Sequence, residues 1–220
     1  MDGDCSYEDF RDCLHSLQQV NRWFFGYRPT LAWLERLPPG KLDAVHIVDV
    51  GSGGGDLLRR IASWAHKRGV AVQLTGIDLN PYAKRSAEES SPPEFKITWL
   101  TGDALLYQPE KPIDVVVSSL MAHHLEDVEI VAFLRWMEAN AKLGWFINDL
   151  ERSECHRRMF AGVARLAAWH RFVLHDGPVS FQRAFRKADW LRLLDSAEIP
   201  QEKITIRRWL PGRLCVGRWK

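Results

Sequence analysis

The run Val45-His46-Ile47-Val48-Asp49-Val50, followed at once by Gly51-Ser52-Gly53-Gly54-Gly55, constrains this chain more than any other stretch. Its apolar residues are mostly β-branched and do not alternate cleanly with polar ones, which suits a strand covered on both faces. The glycine turn leads into a helical segment from about Asp56 to Lys67. A doubly covered strand needs helices on both sides of its sheet, so further strand–helix units must follow.

They do. Val72 to Ile77 reads as a second strand ending at Asp78, and Asn80-Pro81 caps and opens a helix, with proline where a helix tolerates it. Pro92-Pro93 breaks that unit before a strand near Phe95 to Thr101, and Ile113 to Ser118 is a fourth strand. Ile130, Phe133, Leu134 and Met137 mark the buried face of the next helix, and Trp145 to Leu150 is a fifth strand. The alternation predicts an α/β fold, doubly wound, with a mostly parallel sheet.

The flanks differ. Tyr7, Phe10, Leu14 and Leu17 recur at helical spacing in a first segment that Ser6 caps and Pro38-Pro39-Gly40 ends. Residues 153–171 read as an extra amphipathic helix with Met159, Val163, Leu166 and His170 on one face, followed by a turn at Asp176-Gly177-Pro178. A helix around Ala188 to Ala197 precedes two β-rich runs, Lys203 to Trp209 and Arg213 to Trp219, joined by Pro211-Gly212 as an antiparallel hairpin. The sheet thus totals seven strands. One domain over 1–220 is expected: a helical lid over 1–40, a cofactor-binding core over 41–150, an inserted helix or lid over 151–180, and a helix and hairpin over 181–220.

A formal net charge of +2 gives no field that argues for nucleic acid or a membrane surface. Arg207, Arg208, Arg213 and Arg218 read as solvated strand faces. Cys5, Cys13, Cys155 and Cys215 show no CxxC pair and no metal-ligand spacing, so no metal is expected. An acidic start without an early apolar run argues against a signal peptide, and no stretch is long enough to span a bilayer. A cytoplasmic protein with reduced thiols is the expectation.

Open α/β sheets bind ligands beyond the carboxyl ends of their strands. Gly51, Gly53 and Gly55 let the backbone approach a ligand closely. Asp56 stands where a dinucleotide fingerprint wants its last glycine. Asp49, just before the loop, suits a positively charged amino group and would repel a diphosphate. Asp78 ends the second strand and is placed to accept from two ribose hydroxyls. Asp103, in Thr101-Gly102-Asp103-Ala104, suits an exocyclic adenine amine. The fourth strand ends in Ser118-Ser119-Leu120-Met121-Ala122-His123-His124-Leu125, a polar cluster.

As a set, these residues resemble the class I S-adenosylmethionine-dependent methyltransferases, and within them a ubiquinone/menaquinone-biosynthesis-like branch that acts on small molecules. The resemblance covers roughly residues 45–150 and implies a Rossmann-like fold with S-adenosylmethionine as cofactor. It implies that the glycine loop wraps the methionine portion, that Asp78 holds the ribose, that Asp103 meets adenine, and that the strand-four loop borders the methyl group. Leu79, Ala104, Ser118 and Ser119 join the implied cofactor set, and Arg28 is assigned to the cofactor carboxylate. Asn21-Arg22-Trp23 with Tyr27-Arg28, and His175-Asp176-Gly177-Pro178-Val179-Ser180 with Arg183-Ala184-Phe185, are similar to flanking motifs of bacterial enzymes linked to phenolic or quinone-like products. Methylases of nucleic acids and protein amides carry an Asn/Asp-Pro-Pro-aromatic stretch after strand four, where this chain has Ser118-Ser119-Leu120.

The expected partner is therefore a small acceptor, aromatic and phenolic or quinol-like, not a nucleic acid or a membrane. Its oligomeric state is not read from the sequence. A phenol loses its proton around the time its oxygen attacks an electrophilic methyl group, work suited to an imidazole. His124 is placed slightly ahead of His123 as that base. Trp23, Phe160, Asp149 and His175 are the acceptor-side candidates, and Trp23, Phe24, Met159, Phe160 and Trp169 are expected to line an apolar cavity under the lid. An NAD(P)-dependent oxidoreductase and a non-catalytic cofactor-binding module are the alternatives.

Overall fold

The structure, a computed structural model, describes residues 6–37, 44–166 and 171–220. Two helices come first, α1 (Tyr7–Trp23) and α2 (Arg28–Leu34). Ser6 starts α1, its hydroxyl accepting from the Asp9 N–H at 3.1 Å, and Tyr7, Phe10 and Leu14 are buried along one side of it. The alternating core follows as β1 (Val45–Val50), α3 (Asp56–Arg68), β2 (Val72–Asp78), α4 (Pro81–Ser90), β3 (Ile97–Thr101), β4 (Ile113–Ser119), α5 (Asp127–Asn140) and β5 (Ala141–Leu150). The chain ends with α6 (Glu154–Leu166), α7 (Arg171–Arg183), α8 (Lys187–Ser196), β6 (Ile204–Trp209) and β7 (Arg213–Trp219).

The seven strands form one sheet in the order β3-β2-β1-β4-β5-β7-β6. The first five pair in parallel, and β7 inserts antiparallel between β5 and β6. The chain walks outward from β1 through β2 to β3 and then crosses to β4 on the other side of β1. The strand order reverses there, which opens a crevice at the carboxyl ends of β1 and β4.

Both sheet faces are dry. On one, Val48, Val50, Val116 and Ile147 meet Ile130, Phe133, Leu134 and Met137 of α5 and Trp190, Leu193 and Leu194 of α8. On the other, Ile47, Leu74, Val115 and Phe146 meet Leu57, Leu58 and Ile61 of α3 and Trp33 and Leu34 of α2. Successive strand residues point to opposite faces, so two apolar faces leave no polar alternation in β1. His46, the polar intruder, is buried with Nε2 3.1 Å from Thr75 Oγ1 and Nδ1 3.3 Å from the Pro112 carbonyl. A smaller cluster of Cys13, Val20, Phe160, Ala164 and Phe181 packs α1 against α6 and α7.

Three expectations are corrected. β5 begins at Ala141, earlier than the Trp145 read from sequence, because Ala141 already pairs with Ile113 ahead of a register shift. The expected turn at Asp176-Gly177-Pro178 lies inside α7, with Pro178 within the helix. Gly177 is there for close approach: a Cβ on it would run into the Phe160 ring of α6, so helix–helix packing overrides the local preference for a turn. Arg213 is not on a solvated face but only 4% exposed. Pro38, Pro39, Gly40, Trp169 and His170 lie outside the described residues.

Candidate active site

The β1 loop turns sharply. Gly51, Gly53 and Gly55 have φ of +72°, +49° and +73°, a region that side chains with a Cβ rarely adopt. A Cβ on Gly55 would also collide with the Trp99 indole of β3. The Gly51 and Ser52 N–H groups donate to the Ile77 carbonyl at 2.9 and 3.1 Å, which pins the loop to β2.

Asp49 is 2% exposed, and its Oδ1 has no hydrogen-bond partner. Burial, with the Asp56 and Asp78 carboxylates nearby, pushes its pKa well above the ordinary carboxylate range. A buried, unpartnered carboxylate oxygen beside a glycine turn is a receptor for a cationic N–H donor.

Asp78 accepts from the Gly53 N–H through Oδ2 at 2.8 Å and from the Asn80 N–H through Oδ1 at 2.9 Å. Burial raises its pKa, against the pull of those two bonds. Each oxygen keeps a second lone pair for a ligand hydroxyl. Asn80, not Asp78, caps α4, accepting from Tyr82 N–H at 2.9 Å. The Gly102 N–H donates to the Asp78 carbonyl at 2.9 Å, which brings the β3 loop alongside. There Asp103 is exposed and accepts from Leu105 N–H at 2.9 Å, and Ala104 is buried. Leu79 and Leu106 are 72% and 78% exposed, an apolar rim suited to a flat heterocycle.

Asn21 and Tyr27 of the first flanking motif both reach Asp56 at the start of α3. The Asn21 amide donates to Asp56 Oδ2 at 3.2 Å and the Tyr27 hydroxyl at 2.6 Å. Burial and the Asp56 charge raise the Tyr27 pKa, so it stays a donor. Arg28 is exposed, its guanidinium 5.1 Å from the centroid of the Phe25 ring. The structure does not bring Arg28 into the buried set around Asp49.

At the end of β4, the buried Ser118 hydroxyl donates to the Val50 carbonyl at 2.8 Å and ties β4 to β1. Ser119 is the last residue of β4 and half-buried. Leu120 takes φ +58°, and a short 3-10 turn at Ala122–His124 follows. His123 is 5% exposed. Its Nδ1 lies 2.7 Å from Asp149 Oδ1 and its backbone N–H donates to Asp149 Oδ2 at 3.0 Å. Burial pushes the Asp149 carboxyl up, but His123 and the N–H groups of Leu150 and His123 outweigh it, leaving the pKa below its ordinary value. Asp149, expected from sequence to meet a substrate hydroxyl, is fully buried, does not border the cavity beside His123, and binds His123 and the Leu150 N–H. His124 is exposed, with its ring centroid 4.3 Å from that of His123.

Both imidazoles border a largely apolar cavity of about 160 Å³. Leu17 and Val20 of α1 and Phe24 just after it line it, with Met159 and Phe160 of α6, Phe181 of α7, and Gly212 and Arg213 of the hairpin. Phe160, Phe24 and Met159 are thus where the sequence reading put them. Trp23 is 58% exposed and is not part of the wall. His175 falls within α7, and its side chain lies outside the described residues. The sequence reading missed His156 and Arg213 in this wall, because α6 and β7 carry them in amphipathic patterns that look solvated. Among the described residues, no cluster of three or more His, Cys, Asp or Glu side chains is arranged to hold a metal ion, and no helix is long and apolar enough to cross a membrane.

A family model described as a methyltransferase domain matches residues 47–144, from within β1 to within β5. No curated protein sequence matches the chain. Among solved structures, magnesium protoporphyrin IX methyltransferase of Synechocystis PCC 6803 with bound SAH superimposes at TM-score 0.59 and 15% identity, covering 100% of this chain and 90% of its own. Human N-acetylserotonin methyltransferase in complex with SAM gives 0.64 and 16%, covering 98% of this chain, which spans only 56% of the human one. The plantazolicin methyltransferase, solved with SAH and a desmethyl analogue, gives 0.63 and 16%, covering 91% of this chain and 84% of its own. The sheet order and terminal hairpin described above are those of a Rossmann-like methyltransferase fold.

Proposed function

We propose that the chain is an S-adenosylmethionine-dependent methyltransferase of the small-molecule kind, acting on an aromatic acceptor, phenolic or quinol-like, with His123 as general base. The observation that carries this reading is the buried Asp49 oxygen without a partner, set beside a turn of left-handed glycines. An ammonium group fits it and a phosphate does not. The match of a methyltransferase-domain model to residues 47–144 supports the same reading.

The residues present fit the cofactor. Asp49 would receive the methionine amino group, Gly51, Gly53 and Gly55 would pass closely around the methionine portion, and Asp78 would accept from the ribose hydroxyls. Asp103 and Ala104, with Leu79 at the rim, would meet the purine. When bound, the cofactor would supply an electrophilic methyl group on a sulfonium, with S-adenosylhomocysteine as the leaving group.

The chain's own part is to orient, dry and deprotonate the acceptor. The apolar wall from α1, α6 and α7 excludes water and holds the acceptor at the β4 edge, where position accounts for most of the rate. Asp149 holds the Nδ1 edge of His123 at 2.7 Å, which places the ring hydrogen on Nδ1 and leaves the Nε2 lone pair as base. The phenolic proton passes to Nε2, the buried Asp149 carboxylate stabilises the imidazolium, and the phenolate oxygen takes the methyl group. His123 is preferred because it is buried and Asp149 orients its ring.

Isothermal titration of the full chain with S-adenosylhomocysteine and, separately, with NAD⁺ tests the first half of the reading. Binding of the former alone is expected; preference for NAD⁺ would end it. Release of S-adenosylhomocysteine from a panel of phenols and quinols tests the second half, and a chain that binds the nucleoside but turns over nothing in that panel would leave the acceptor class wrong.

A further inference from the structure

The cavity wall is largely apolar; its polar members are the His123–His124 edge, Ser180 of α7, and His156 and Arg213 at the end formed by the hairpin. At that end Arg213, the first residue of β7, is 4% exposed and borders the cavity. Its Nη2 donates to Asn21 Oδ1 at 2.9 Å and its Nη1 to Asn148 Oδ1 at 3.3 Å. Both partners are neutral amide oxygens. Asp56 is reached only through the Asn21 amide, and Asp149 directs its oxygens to His123 and Leu150. Of the five N–H donors a guanidinium carries, two are accounted for. Among the described residues no carboxylate is hydrogen-bonded to it, and a buried cation without an anion in contact is costly. Burial duly lowers the Arg213 pKa, although Cys215, Asp149, Tyr27 and Asp56 act the other way.

A second unmet group lies beside it. His156 of α6 borders the same cavity, and its buried Nδ1 has no hydrogen-bond partner. Its ring lies against Gly212, the residue before Arg213: a Cβ on Gly212 would sit 3.2 Å from His156 Cγ. The ring is also stacked on Phe181, with centroids 6.4 Å apart. Two polar groups from elements far apart in sequence thus flank Gly212 at one end of the cavity: a buried guanidinium bonded to neutral amide oxygens and an imidazole whose Nδ1 has no partner.

We propose that Arg213 and His156 form a carboxylate-binding end of the acceptor cavity, so that the acceptor is an aromatic acid whose carboxylate lies at the hairpin while its hydroxyl meets His123. A guanidinium fork offers parallel N–H donors matched to a carboxylate, and the Nδ1–H tautomer of His156 adds another. None of Asp49, Gly51, Gly53, Asp78 or Asp103 borders this cavity, which puts the anion on the acceptor and not on the cofactor. The inference rests on reading the cavity as the acceptor site.

The test is direct binding to the full chain saturated with S-adenosylhomocysteine, comparing 2,4-dihydroxybenzoate with 2,4-dihydroxybenzamide, which keeps the shape and removes the charge. The wild-type chain is expected to hold the acid at least about tenfold tighter, the worth of one charge-assisted hydrogen bond. Arg213→Gln and His156→Phe should each reduce that ratio, Arg213→Gln to within about threefold, with nucleoside affinity unchanged. Equal binding of acid and amide to the wild type would overturn the proposal and leave the cavity reading standing. Binding of neither would overturn both. An undiminished ratio in Arg213→Gln would remove the assignment to these residues. Loss of nucleoside affinity in step with the acid would hand Arg213 to the cofactor's own carboxylate. The wild-type ratio decides even where a variant fails to fold.

Discussion

Replacing Asp49 by Asn should move stability and cofactor affinity in opposite directions. In the free chain the carboxyl is buried, its Oδ1 has no partner, and two further carboxylates stand nearby. Its folded pKa is therefore raised above the unfolded value, so the folded state holds the proton over the interval between the two. Stability falls as pH rises through that interval and stays low above it. Asn keeps the shape and removes the ionisation, which should return about 1–3 kcal/mol at neutral pH, the range for burying an unsatisfied polar group. At roughly 2–4 °C per kcal/mol for a chain of this size, Tm of the cofactor-free protein should rise by about 2–12 °C. The gain should vanish at a pH near the unfolded carboxyl value. Binding goes the other way: losing a charge-assisted bond to the ammonium costs about 1.5–3 kcal/mol, or roughly 10- to 150-fold in Kd for S-adenosylhomocysteine. Differential scanning fluorimetry across pH and titration calorimetry on the same samples read both. Wild-type binding should also release a proton at low pH, seen as a buffer-dependent enthalpy that the variant lacks. A variant that melts below wild type at neutral pH, or binds the nucleoside as tightly, would refute the reasoning.

The other predictions concern single contacts. His123→Asn should lower kcat about 10²- to 10⁴-fold, the usual worth of a general base, with nucleoside affinity kept; an equal or larger loss in His124→Asn would reverse the assignment. Asp149→Asn should lower kcat as well, because an amide can face Nδ1 with its N–H and favour the wrong tautomer, and unchanged turnover would make Asp149 purely structural. Phe160→Ala should raise the acceptor KM while leaving nucleoside Kd within about threefold, though it also costs about 3–5 kcal/mol of stability; equal losses in both constants would take Phe160 out of the acceptor wall. Gly55→Ala, at φ +73° and against Trp99, should cost at least about 1 kcal/mol by thermal melt and weaken nucleoside binding, whereas a neutral result would show that the loop relaxes.

How much of this was legible in the sequence depends on how far apart the cooperating residues stand. In a parallel sheet every β-strand delivers its following loop to the same edge, so Asp49, the glycines, Asp78 and Asp103 could be placed from their own neighbourhoods. Their side chains need only the local rule that strand ends converge. The acceptor side obeys no such rule. His123 and His124 sit in one 3-10 turn, and what separates them is Asp149, 26 positions away. Arg213 is bound to Asn21 across 192 positions, and Asn148 ties to the Gly26 carbonyl across 122. A period-two pattern on a terminal hairpin cannot say that Arg213 is buried and Arg218 largely covered while Arg207 and Arg208 are exposed. Gly177-Pro178 reads as a turn until Phe160 is seen to need the space.

The charges left unpaired fall on opposite sides of the β4 edge. Asp49, Asp56 and Asp78 crowd the crevice at β1 with negative charge, and Arg213 stands in the cavity at β7 without an anion. Each is costly alone, and folding stability gives no reason to keep either. Together they describe a surface built for two ligands of opposite sign, a cationic donor and an anionic acceptor. The ammonium that Asp49 would hold and the carboxylate that Arg213 would hold both keep their charge through the transfer, while the reacting sulfonium and phenolate become neutral. The two fixed charges therefore act on binding and position, not on the charge that disappears. A neutral residue at either position should raise Kd for its own ligand and leave kcat at saturation within about threefold. A large loss in kcat with Kd unchanged would refute that division of labour.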